Sequence, residues 1–130
     1  MLITSASFAN SMIEQLDKRY SAITDFKKFH TQNGEVWYYS PASVKLYTDE
    51  MYPKNKIKVV VTKFKNNRAA VNETHRIDCT KSTLSTVSRL FYNTQGKPLP
   101  ISKQQLIAVP ITLKIENVGI QNLKNTICRN

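Results

Sequence analysis

The chain has 130 residues, 41% of them hydrophobic and 22% charged, and a formal net charge of +10 at pH 7. That length suits a single domain, 1–130, with a core of its own and no need of disulfides or a structural metal. No stretch approaches the roughly 20 apolar residues of a spanning helix. The opening MLITSASFANSM has neither a basic n-region nor an apolar h-region, so a cytoplasmic protein with no membrane contact is expected.

The charge is unevenly spread. Residues 1–50 hold five basic groups against six acidic ones, whereas residues 51–130 hold fourteen against three, Glu73, Asp78 and Glu116. The positive field therefore belongs to the second part of the chain. Cys79 and Cys128 stand in no CxxC or metal-ligand spacing, and they read as free thiols of a reducing compartment.

In chain order, Phe8, Met12, Leu16, Tyr20, Ile23 and Phe26 recur in steps of four and three and predict an amphipathic helix within 8–29. Ser11 and Glu14 have capping-box spacing, and a break near Ser21 is allowed. The opposite face mixes Glu14, Asp17, Lys18, Lys27 and Lys28, which suits packing on a core better than a membrane surface. Asn33-Gly34 marks a turn, after which EVWYYS and SVKLYT read as two short strands separated by Pro41 and Ala42. Trp37, Tyr39 and Tyr47 could stack nucleic-acid bases, although aromatics in short strands more often fill a core.

The run KNKIKVVVTKFKNNR, 54–68, carries the strongest strand signal and the densest positive charge. Ile57, Val59 and Val61 alternate with Lys56 and Lys58, as in a strand with one buried face. The phase then slips, because Lys63 and Lys65 fall in step with the valines and Phe64 does not. A bulge near Thr62 would restore Phe64 to the core and leave Lys56, Lys58, Lys63 and Lys65 on one solvated face; otherwise the strand ends there. Residues 69–80 pair back on this strand through an Asn66-Asn67 turn, with His75, Ile77 and Cys79 on one side and Arg76 and Asp78 on the other.

Leu84, Val87, Leu90 and Phe91 suggest a second helix at 81–93, capped by Asp78 or Thr80 and stopped by Gly96. Alternating Ile107, Val109, Ile111, Leu113 and Ile115 predict a strand over 106–115, and Pro110 puts it at a sheet edge through which the chain could oligomerise. Ile120, Leu123 and Ile127 suggest a short final helix. The resulting architecture is α+β: a mostly antiparallel sheet of about five strands, an N-terminal amphipathic helix and a second helix near 81–93.

Chemistry is sparsely signalled. His75 and Cys79 lie four residues apart on a strand, roughly 13 Å, too far for a nucleophile and its base. A metal-independent ribonuclease could use His75 with Lys63, Arg68, Arg76 or a tyrosine, yet nothing in the spacing requires it. Phosphate-loop and metal-ligand motifs are missing, so no cofactor, no metal and no enzyme activity are expected. Two functions remain. The first is low-specificity binding of a DNA or RNA backbone through Lys54, Lys56, Lys58, Lys63, Lys65, Arg68 and Arg76. The second is a protein-interaction module, an inhibitor of a host protein or a virion or assembly component, docking on an acidic partner. Small size and richness in Asn, Lys, Ile and Thr suggest an accessory protein of a phage or mobile element, acting in the host-cell cytoplasm if viral.

Overall fold

The computed structural model describes residues 5–129. Helix α1 (Ser5–Ser21) is followed by strands β1 (Lys27–Gln32), β2 (Glu35–Tyr39), β3 (Lys45–Tyr47), β4 (Ile57–Lys65), β5 (Ala70–Asp78), β6 (Thr83–Tyr92) and β7 (Thr112–Lys114), and then by helix α2 (Val118–Ile127). The strands form one antiparallel sheet in the order β1-β2-β4-β5-β6-β7, with β3 also paired to β4. The fold is α+β, with seven strands among the described residues in place of about five. No helix among them is long and apolar enough to cross a membrane.

Strand β4 is covered on both sides. Val61 packs with Ile13, Leu16, Tyr20, Leu90 and Tyr92 on the face that carries α1. Val60 packs with Tyr39, Ile77, Ile115, Leu123 and Ile127 on the face that carries α2. The pairing with β5 runs from Ile57↔Asp78 to Lys65↔Ala70 without a register shift, so the expected bulge near Thr62 does not exist. The expectation assumed a single buried face. With two, Phe64 is already inside, its ring 4.8 Å from that of Trp37.

The segment 81–93 is not a helix but strand β6. Its β-branched and aromatic residues favour a strand, and its helix-like spacing comes from a bulge. Thr74 pairs with Ser88 while His75 pairs with Thr86, which leaves Val87 as the extra residue. Leu84 and Leu90, an even number of residues apart, therefore point to opposite faces, Leu84 toward the α2 core and Leu90 into the α1 core. A second shift, between Lys28 and His30 of β1, turns Phe29 toward Trp37 and Tyr39. The N-terminal helix ends at Ser21, where a break was allowed, and Lys27 onward is a strand.

Strands β2 and β3 are two parts of one edge along β4, interrupted by a 3-10 turn at Pro41–Ser43. The interruption keeps its hydrogen bonds. The Ser40 amide donates to the Val61 carbonyl at 3.0 Å, and the Val61 amide donates to Ser43 Oγ at 2.8 Å. Asp25 accepts from Ser40 Oγ at 2.6 Å and from the Ala42 amide at 2.8 Å. These bonds, that from Ser40 foremost, hold its carboxyl below the ordinary carboxylate value.

The strand expected over 106–115 shrinks to β7, the last in the order. Ile115 is buried, but Val109, Ile111 and Leu113 are exposed, and Pro110 lies outside the strand. Helix α2 forms as expected at 118–127, with Asn117 Oδ1 accepting from the Gly119 and Ile120 amides as its N-cap. Gly119 lies against Trp37 and His30 so closely that a Cβ there would overlap the Trp37 ring.

Cys79 and Cys128 are not free thiols. They form a disulfide with Cα atoms 5.7 Å apart, joining the end of β5 to the end of α2. Forty-nine residues separate them. In the chain-entropy picture a loop of that size contributes about 4 kcal/mol. Local spacing could not reveal this, because the partners meet only when α2 lies on the sheet.

Two measurements follow. Replacing both cysteines by serine lowers unfolding stability by about 2–4 kcal/mol in urea titration. Gly119→Ala lowers it by about 1–3 kcal/mol through overpacking against Trp37, whereas Ala at exposed Asn125 changes it by less than about 0.5 kcal/mol.

Candidate functional site

Ion pairing is scarce in so basic a chain. Among the described residues the carboxylate of Glu73 alone is ion-paired, with Arg89 Nη2 at 2.7 Å, and it also lies 3.8 Å from His75 Nε2. Among the described residues the lysines are therefore free of carboxylate partners, and where the fold puts them decides what they can bind.

The expected single lysine face does not form. Lys56 and Lys58 point to the α2 side of the sheet, and Lys63 and Lys65 to the α1 side, because β4 keeps its alternation throughout. Lys56 and Lys65 lie nine residues apart in extended chain, roughly 30 Å. Lys58 Nζ donates to the Ile127 carbonyl at 2.6 Å, where a cation favourably meets the C-terminal end of α2. Arg76 lies over the Tyr47 ring, 4.2 Å from its centroid. Lys54 is exposed ahead of β4, and Arg68 is exposed in the β4–β5 turn.

The three aromatics expected to stack bases do not form an open platform. Trp37 and Tyr39 are buried, Trp37 among Phe29, His30 and Phe64 with its Nε1 donating to Glu35. Tyr47 is half-buried beneath Arg76.

What the fold does assemble is a cationic rim around the disulfide. Lys56, Lys124 and Arg129 line an open depression of about 490 Å³ with Thr80, Asn125 and the two cysteines. Lys124 Nζ donates to Ser82 Oγ at 2.6 Å, and Lys81 lies over the Tyr52 ring at 4.3 Å. Asp78 is the nearby carboxylate, and it is engaged. It accepts from Asn55 Nδ2 and from the amides of Thr80 and Lys81, which shapes the β5–β6 turn. Lys81, Lys124 and Arg129 were missed in the sequence because each looks isolated there, and only the packing of α2 on the sheet, locked by the cross-link, brings its end beside the β5–β6 turn.

A polar row crosses the α2 face of the sheet. Thr62 Oγ1 is 3.0 Å from His75 Nε2, Thr86 Oγ1 is 3.0 Å from His75 Nδ1, and Arg89 Nε donates to Glu73 at 2.8 Å. Thr62, Glu73 and His75 are all buried. Burial, ahead of opposing attraction from Glu73, pushes the His75 imidazole below its ordinary value. It lies on the opposite face from Lys63 and Arg76, so the residues of the ribonuclease alternative do not converge.

No protein-family model matches this chain, and no curated protein matches it in sequence. A crystal structure of Haemophilus influenzae protein E is similar with a TM-score of 0.46 and 16% sequence identity, over 77% of this chain and 91% of that chain. No residue role is carried across from it.

The buried histidine makes stability depend on pH. Its folded value lies below 6.5, so as pH falls through 6.5 the unfolded chain takes up the proton first and the folded state loses stability. The contribution is complete above 6.5. Urea midpoints should drop between pH 7 and pH 5, and His75→Gln should flatten that slope.

Proposed function

We propose that the protein is a binding module that docks an acidic protein surface on the cationic rim around Cys79–Cys128, in an oxidising compartment. The observation that carries this is the gathering of Lys56, Lys124 and Arg129 about the disulfide, with Lys81 in the adjoining β5–β6 turn, and with no carboxylate ion-paired to any of the four among the described residues. A rim of unpaired cations attracts an anionic partner over about a Debye length and aligns it before contact. The disulfide favours an oxidising compartment over the cytoplasm, since such bonds persist where thiols are not kept reduced. Because it anchors α2 to the sheet, the rim depends on it.

A nucleic-acid backbone is the second reading, and the sequence-independent character of lysine contacts favours it. The two differ in measurable ways. Four clustered cations on duplex DNA would give a slope of log affinity against log salt of about −3.6.

The test uses an acidic polypeptide, poly-glutamate, and duplex DNA as probes at low salt. Reversing Lys56, Lys81 and Arg129 to Glu should weaken poly-glutamate binding at least about tenfold, at roughly 1.4 kcal/mol per tenfold. Reversing Lys65 and Arg68 at the far end should change it little. Equal loss from both sets, or DNA binding with a slope near −3.6 and none to poly-glutamate, would reject the acidic-protein reading.

A further inference from the structure

A cavity of about 480 Å³ opens on the α1 side of the sheet, at the end away from the disulfide. It lies where the last turn of α1 stops short of covering β4, and Tyr20, Phe26, Lys63, Lys65, Asn72 and Tyr92 make its walls. That volume lies within the range of pockets that hold small ligands. Its chemistry is unusually one-sided. No carboxylate is among its lining residues, and two lysines are.

Lys63 is half-buried, with Nζ 5.5 Å from the centroid of the Phe26 ring, and it has no ion pair among the described residues. Burial foremost, then repulsion from Lys65, disfavours its charge. An anion in the cavity would relieve both. Asn72 supplies a second, independent observation. The residue is only 5% exposed and makes no side-chain hydrogen bond among the described residues, and since no fully enclosed side-chain nitrogen or oxygen there lacks a partner, its amide opens onto the cavity. An amide that opens onto a cavity can meet a donor and an acceptor on the same ligand.

The two tyrosines close the inner wall, with their rings buried in the α1 core and their hydroxyls already engaged. Tyr20 Oη is shared with Thr74 at 3.0 Å and Ser88 at 2.6 Å, and Tyr92 Oη donates to Asp17 at 3.0 Å. Burial raises the Tyr20 phenol, and burial followed by that bond to Asp17 raises the Tyr92 phenol, so both stay neutral. Asp17 lies just outside the lining, where it accepts from Tyr92 Oη and Ser21 Oγ. At the mouth, Asn66 and Asn93 shape their turns through Oδ1 and leave Nδ2 as a donor, and Asn67 adds a further amide.

From this set we infer that the cavity binds an acidic sugar of the uronate type. Its carboxylate would pair with Lys63 and Lys65, its hydroxyls would bridge the Asn72 amide and the amides at the mouth, and its C–H face would lie on the partly buried ring of Phe26. A purely apolar ligand would leave Lys63 and Asn72 unsatisfied. A bare inorganic anion would leave the Phe26 ring and the acceptor oxygen of the Asn72 amide unused. The site is separate from the rim around the disulfide and stands whether or not that rim binds an acidic protein.

The experiment titrates glucuronate, glucose, acetate and a uronate-terminated disaccharide into the full chain, read by calorimetry and by backbone amide shifts. Glucuronate should bind at least tenfold more tightly than glucose or acetate, with shifts confined to the segments around Phe26, Lys63 and Asn72. Preference for the disaccharide would assign the sugar to the end of a longer chain, and equal binding would assign it to the free monosaccharide; both support the site. Lys63→Met and Asn72→Ala should each weaken binding tenfold or more, Lys63→Arg should restore most of it, and Lys56→Glu at the other end should leave it unchanged. Shift mapping on the unaltered protein keeps the result decisive if either variant folds poorly. Acetate binding as tightly as glucuronate, or shifts outside the cavity, would overturn the inference.

Discussion

Everything in this fold depends on β4 being buried from both sides. Val60 and Val61 are adjacent, so the pleat sends them in opposite directions, and each enters a separate core. One core is closed by α1 and the other by α2, helices from opposite ends of the chain. A fully buried aliphatic side chain contributes about 1.5–3 kcal/mol. With the Tyr20, Leu90 and Tyr92 cluster on one side and the Ile77 and Leu123 cluster on the other, the central strand can accept no slip in register.

Irregularity is moved to the neighbours. Val87 in β6 and Phe29 in β1 are the extra residues that let those strands change face. The polar row on the α2 face lies beside the β6 irregularity, where His75 pairs with Thr86. Glu73 can be buried there because Arg89 reaches it from the next strand, and His75 because two threonine hydroxyls satisfy its ring. An unpaired carboxylate in that position would cost several kcal/mol.

The same two-sided burial explains how the charge is distributed. A central strand with both faces covered cannot present its lysines as one surface, so they emerge at its ends. At one end Lys56 joins Lys124 and Arg129, which the disulfide brings in from α2. At the other, Lys63 and Lys65 border a cavity that α1 is too short to fill. The cationic character is shared, but the settings differ. The first is an open rim and the second a walled pocket with an unpartnered amide.

The sequence by itself determined the α+β class, the antiparallel sheet, the helical stripes of α1 and α2, the strand character of β4 and the basic bias of the second part of the chain. These rest on periodicity and composition, which are local properties. It misled at 81–93, where a bulge made a strand imitate helical spacing, and at Thr62, where a two-sided strand looked like a one-sided strand out of phase. Only the tertiary structure decided which face each lysine takes, that Trp37 and Tyr39 are interior, that Cys79 meets Cys128, and that Asn72 opens into a cavity. The physical reason is the same in each case. A side chain's direction follows from the pleat, but what lies above it depends on helices and strands that arrive from far along the chain.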